Sequence, residues 1–99
     1  MNPPSAAPTR VKIVTRADYR EDYANSVQVR PSTWDFFLQF GRMEQKQAEE
    51  VELQMFQGVY LSPQQAKAVV KLLASHLDNY EKAFGEIQLQ PLQVPGAVQ

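Results

Sequence analysis

Apolar and polar positions alternate along the middle of the chain and then change to a helical period. From Ser26 to Arg30, Val27 and Val29 face one way and Ser26, Gln28 and Arg30 the other. Pro31-Ser32-Thr33 supplies a turn. Trp34 to Met43 alternates strongly, with Trp34, Phe36, Leu38 and Phe40 on one face. That two-residue period predicts a half-buried strand. Glu44 to Glu50 is polar and acidic and reads as a hairpin loop. Val51 to Leu61 alternates again, placing Val51, Leu53, Met55, Val59 and Leu61 on one face, with Gly58 marking a bulge or bend. The pattern predicts three antiparallel strands joined as a meander, and Ile87 with Leu89 offers a short fourth. Further upstream, Val11-Lys12-Ile13-Val14 is a brief β-prone run ahead of a charged stretch carrying Tyr19 and Tyr23.

The period changes at Ser62-Pro63-Gln64-Gln65. Ser62 suits an N-cap, Pro63 the first helical position, and Gln65 can reach back to the cap. At 100° per residue, Ala66, Val69, Val70, Leu73, Leu77, Tyr80 and Phe84 fall within about 60° of one direction. Lys67, Lys71, Asp78, Glu81 and Lys82 take the water side, and Asp78 with Lys82 pairs at i,i+4. Gly85 ends the helix in the left-handed conformation. A helix from 63 to 84 is roughly 33 Å long, enough to cross a small sheet. The fold class is therefore α+β: a three- to four-stranded antiparallel meander followed by one long amphipathic helix packed on one sheet face. The predicted core is the helix stripe against Trp34, Phe36, Leu38 and Phe40.

Composition narrows the picture. The 99 residues, 43% of them hydrophobic, fit a single domain with one modest core. Residues 1–10, with three prolines, read as a disordered leader without the pattern of a signal peptide. Residues 11–90 form the domain and 91–99 a flexible tail. Without an export signal, the expected compartment is the cytoplasm. No apolar run is long enough for a membrane helix. Ten basic and eleven acidic residues give a net charge of −1, which disfavours a protein built mainly for nucleic acid. The basic arm Arg10, Lys12, Arg16 and Arg20 is interrupted by Asp18 and followed by Glu21 and Asp22. With no cysteine and one histidine, thiolate chemistry is absent and imidazole chemistry has little to work with. The Asp18/Glu21/Asp22 group lacks the ligand spacing of a calcium loop, and the four glycines never form a phosphate-binding loop. No catalytic, metal or cofactor residue is assigned, and the expected protein is not an enzyme.

The surplus lies on the far side of the sheet. Phe37, Phe56 and Tyr60 share the face that a single helix leaves open, while Leu72 and His76 flank the helix stripe. Contiguous apolar surface of this kind points to a homo-oligomer or to a protein partner. The five residues form the candidate interface.

Four blocks carry a family resemblance. They are Tyr23-Ala24-Asn25, Trp34 through Arg42, Val59-Tyr60-Leu61-Ser62-Pro63-Gln64-Gln65-Ala66-Lys67, and Asn79 through Ile87. Together they resemble the bacterial and archaeal family called domain of unknown function 3467, over about two-thirds of the chain. Gln39 and Val59-Tyr60 depart from the aspartate and basic-isoleucine usual in that family. The resemblance implies the fold and names no activity. The order of strands and helix is also similar in topology to SecB-type export chaperones, oligomers with apolar grooves. The expected function is a small interaction module binding a protein or extended peptide through the free sheet face. The alternatives are a purely structural subunit of a fixed assembly and, less favoured, a weak nucleic-acid binder.

Overall fold

In the computed structural model, which describes residues 8–89 and 97–98, the spine is a long hairpin. Strand β1 (Ser26–Pro31) pairs antiparallel with β2 (Phe36–Gln47), and β2 pairs antiparallel with β3 (Glu50–Leu61). The helix α1 (Pro63–Phe84) follows, and β4 (Ala97–Val98) pairs antiparallel with the outer edge of β1. The sheet order is β3-β2-β1-β4. This is the α+β meander and helix read from the pattern, with several local differences.

The polar stretch from Glu44 to Glu50 is mostly strand rather than loop. β2 continues to Gln47 and β3 starts at Glu50, so only Ala48 and Glu49 turn. Its side chains alternate between two wet faces, which leaves no hydrophobic signal to read. The β1 to β2 turn is built by Ser32, whose Oγ accepts from the amides of Trp34 and Asp35 at 3.1 Å. That turn excludes Trp34 from the strand and leaves its ring 82% exposed. The fourth strand is not Ile87–Leu89, which is irregular, but Ala97–Val98. Those two residues fall within the segment expected as a tail; residues 91–96 and 99 of it, residue 90 of the domain and residues 1–7 of the leader lie outside the described residues. The Val11–Val14 run forms no strand and is exposed.

A register shift divides β3. Phe40 pairs with Gln57, but Gly41 pairs with Met55, so Phe56 is the extra residue of a bulge. The irregularity lies at Phe56, just before Gln57, rather than at Gly58. Its effect is to flip the alternation. Val59 and Leu61 therefore share a face with Phe36 and Leu38, whereas Val51, Leu53 and Met55 fall on the opposite face, with Phe37 and Tyr60. One five-residue stripe in the sequence becomes two half-stripes in the sheet.

Asn25 extends the ladder beyond β1. Its backbone amide donates to the Gly41 carbonyl at 3.1 Å. Its side chain then copies a backbone pair: Oδ1 accepts from the Met43 amide at 2.7 Å and Nδ2 donates to the Met43 carbonyl at 3.3 Å. Two strand groups that would otherwise face water or apolar surface are thereby satisfied.

The helix begins as its sequence indicates. Ser62 Oγ accepts from the Gln65 amide at 3.1 Å and Pro63 follows the cap. At the other end, Gly85 has φ 98° and ψ 168°, outside the left-handed helical basin yet still a conformation that favours glycine. Its amide donates to the Glu81 carbonyl at 2.8 Å. The expected i,i+4 pair is present, with Lys82 Nζ 3.0 Å from Asp78.

Packing is where the expectation fails. The helix lies on the Phe36/Leu38 side but stands away from the sheet, meeting it mainly at its root beside β3. None of its residues is buried, and no hydrophobic side chain among the described residues is buried. The radius of gyration is 18.3 Å, against about 13 Å for a compact chain of this length. A ladder and a capped helix have formed, but the layer between them is open.

Two outcomes follow for the ladder. Replacing Asn25 by Ala removes both side-chain bonds to Met43 and is expected to cost about 1–3 kcal/mol in chemical denaturation. At Gly41 a Cβ would meet Met55 Sδ at 2.6 Å and the Gln54 carbonyl oxygen at 2.9 Å. Since a backbone oxygen cannot swing away, Gly41→Ala is expected to destabilise by about 1–3 kcal/mol on the same measurement.

Candidate interaction surface

The open layer is a groove of about 490 Å³ between sheet and helix. Val29, Phe36, Leu38 and Leu61 form one wall, and Ala66, Val69, Val70 and Leu73 the other. Pro63 closes its root, and Lys67 is the one charged residue that lines it. The alternation of β1 and β2 supplies the sheet wall, and the spacing of three and four supplies the helix wall. Along the helix the apolar surface continues: Leu73, His76, Leu77 and Tyr80, with Ile87, line a second open hollow of about 380 Å³. Tyr80 and Phe84 stack there with ring centroids 4.9 Å apart. Leu73 is 56%, Leu77 48% and Phe84 76% exposed.

The five residues singled out from the sequence separate. Phe37 and Tyr60 do come together on the other sheet face, ring centroids 4.4 Å apart. Arg30 lies over the Phe37 ring at 4.8 Å, and the same ring covers Gly58, where a Cβ would come within 2.8 Å of it. This cluster satisfies much of its own surface, although Tyr60 remains 64% exposed. Phe56 is not part of it. The bulge turns Phe56 to a small pocket beside Phe40, Gln57, Arg20, Asp22 and Ala24. On the helix, His76 belongs to the apolar hollow, while Leu72 is exposed and lines neither hollow. The sequence marks a bulge or bend at Gly58, two residues from the actual one, but keeps Val51 to Leu61 on one face, which hides the change of side; a helix assumed to lie flat on the sheet conceals the groove.

Charged groups elsewhere are spent on near neighbours. Arg16 donates to both carboxylate oxygens of Asp18 at 2.9 and 2.7 Å, and Arg20 pairs with Asp22 at 3.1 Å. Half of the basic arm is therefore neutralised locally. Tyr19 donates to Glu21 at 2.7 Å, and that bond raises its phenol pKa. Among the described residues no group of three side chains suited to a metal ion occurs, and no helix is long and apolar enough to cross a membrane.

Near the hairpin tip Lys46 bonds Glu44 at 2.9 Å and lies 3.8 Å from Glu52. Hydrogen bonding and charge from Lys46 hold the Glu44 carboxyl below its usual range, and Glu44 in turn raises Lys46. A lowered carboxyl pKa stabilises the fold above the unfolded value, and that contribution disappears as pH falls through the folded one. In an NMR titration Glu44 is expected to protonate below an ordinary glutamate, and Lys46→Ala to return it to the ordinary range.

Comparison with known proteins places this fold in a family. No curated protein matches the chain, and no solved structure matches it. A family profile described as protein of unknown function (DUF3467) matches residues 1–89. The chain belongs to that family.

Proposed function

We propose that this chain is a non-enzymatic protein-interaction module that works as an oligomer, and that the groove between sheet and helix is where another polypeptide packs. One observation carries the reading: the amphipathic helix and the sheet present their apolar sides to each other without burying a hydrophobic residue among those described. Apolar area left in water is the largest driving force the chain has for association. The groove suits hydrocarbon rather than chemistry. Its lining is aliphatic and aromatic apart from Lys67, so it brings together no acid, base and nucleophile. The Phe37/Tyr60 face, first choice on sequence grounds, supports the reading less well, because Arg30, Tyr60 and Gly58 already lie against the Phe37 ring.

A purely structural subunit and a SecB-like binder of extended apolar clients are both versions of this proposal. They differ in whether the groove stays accessible after assembly. Sedimentation of the full chain between micromolar and tens of micromolar concentrations is expected to give an oligomer, and a strict monomer throughout overturns the proposal. Uptake of a hydrophobic dye by that oligomer selects the client-binding version, and no uptake selects the structural one.

A further inference from the structure

We propose that copies of this chain join through the free edge of β3, two β3 strands pairing antiparallel about a twofold axis into one continuous sheet. This rests on the oligomeric reading above and names the surface that joins the copies. The pairing uses the strand edge and leaves Phe36, Leu38 and the helix stripe to another polypeptide.

The bonds of Asn25 show which backbone groups stand on that edge. Gly41 and Met43 turn theirs toward β1, where Asn25 meets them. Successive strand residues point their amide and carbonyl groups to alternate sides, so Phe37, Gln39 and Gln45 also point toward β1. The β3 residues opposite these five are Tyr60, Gly58, Met55, Leu53 and Val51. Their backbone groups therefore point away from β2, to the outside of the sheet. Among the described residues no backbone hydrogen bond reaches them, and the Gly58 carbonyl accepts from the Gln57 side chain at 3.1 Å.

A twelve-residue edge in this state is a template for another strand. The opposite edge of the sheet is blunted: β1 ends in Pro31, which has no N–H, and β4 pairs with part of it. β3 holds neither proline nor lysine.

Register and charge choose a second copy as the occupant. Full overlap of two β3 strands sets Glu50 opposite Leu61, hence Val51 opposite Tyr60 and Leu53 opposite Gly58. In each of the last two pairs both residues point outward, as a hydrogen-bonded antiparallel pair requires. Met55 falls opposite Phe56, so the two bulges meet at the axis and each half pairs in regular register. Tyr60, exposed beside Phe37, gains Val51 of the second copy as a cross-strand neighbour on the same face. An isologous contact requires this kind of self-complementarity.

The acids of β3 lie at one end, Glu50 and Glu52, and the strand is uncharged from Leu53 onward. Parallel pairing would set the acidic ends side by side. Antiparallel pairing carries Glu50 to the residue before the helix cap of the other copy. That helix has no acid in its first turn, and Lys67, lining the groove with Leu61, pairs with no acid among the described residues. A carboxylate is favoured at such a helix start.

The chain has no cysteine, so introduced cysteines report the pairing without background. Opposed residues of a hydrogen-bonded antiparallel pair stand about 5.5 Å apart at Cα, within disulfide range. Positions 51 and 60 of one chain are about 30 Å apart along the strand. Under mild oxidation at tens of micromolar concentration, a mixture of full-length Val51→Cys and Tyr60→Cys chains is expected to form the mixed disulfide, and either variant alone to stay uncross-linked. In the unsubstituted protein, the outward amides of Val51, Leu53, Gly58 and Tyr60 are expected to exchange with solvent as slowly as the inward amides of Glu52 and Val59. An oligomer whose outward amides exchange freely overturns the edge pairing and leaves the oligomeric reading standing. Protected outward amides without the mixed disulfide put a different strand on the edge and overturn the pairing too. Cross-linking by each variant alone overturns the antiparallel order. A strict monomer by light scattering overturns both readings.

Discussion

Backbone hydrogen bonding between β2 and β3 is the interaction on which the rest of this molecule depends. The ladder joins two twelve-residue strands, and β1 and the helix are attached directly to it. β1 lies along its lower half, and Asn25 carries the pairing on to Met43. The helix starts one residue after β3 ends, its first turn fixed by Ser62. Yet a hairpin is marginal in water without an apolar face covered on at least one side. Hydrogen bonds exchanged for bonds to water contribute little net stability. The ladder therefore sets the shape while something packed against it has to supply the free energy.

The bulge at Phe56 decides where that packing happens. Without it, Val51, Leu53, Met55, Val59 and Leu61 would make one continuous stripe. With it, Val59 and Leu61 join Phe36 and Leu38 beside the helix, and the upper half-stripe turns to the face of Phe37 and Tyr60. Gly41, buried opposite the irregular step, lets Met55 lie close against the backbone. One extra residue thus divides the sheet into a lower region matched to the helix and an upper two-stranded ribbon. The ribbon ends in the Lys46 network with Glu44 and Glu52, a polar tip suited to water.

Much of this was legible in advance, for identifiable reasons. Ser62-Pro63 and Gly85 announce the helix because caps are local chemistry, and the helix bounds agree with them. The Val27/Val29 and Phe36/Leu38 alternation announces two strands because half-burial leaves a period of two. Where both faces are wet, as from Glu44 to Glu50, period and strand part company. A glycine announces a bulge only roughly: Gly58 lies two residues from the inserted Phe56, and nothing in the composition marks the change of face. The candidate surface was half legible: Phe37 and Tyr60 meet as their parity requires, whereas Phe56 is redirected by the bulge.

The largest difference is the open layer, and it has a single cause. Amphipathic patterning states which side of an element seeks cover, but not which chain supplies the cover. A helix stripe and a strand stripe of matching length fit a closed monomer and an exchanged dimer equally well. The link from β3 to α1 sets how the helix leaves the sheet. Leu61 ends the strand, Ser62 is already the cap and Pro63 the first helical residue, so a single residue makes the connection. Ser62 is extended, with φ −64° and ψ 156°, and carries the chain away from the strand before the helix begins. A link that short fixes the direction in which the helix leaves the strand. It leaves the two apolar walls apart, so much of the 43% hydrophobic composition lies along an open groove.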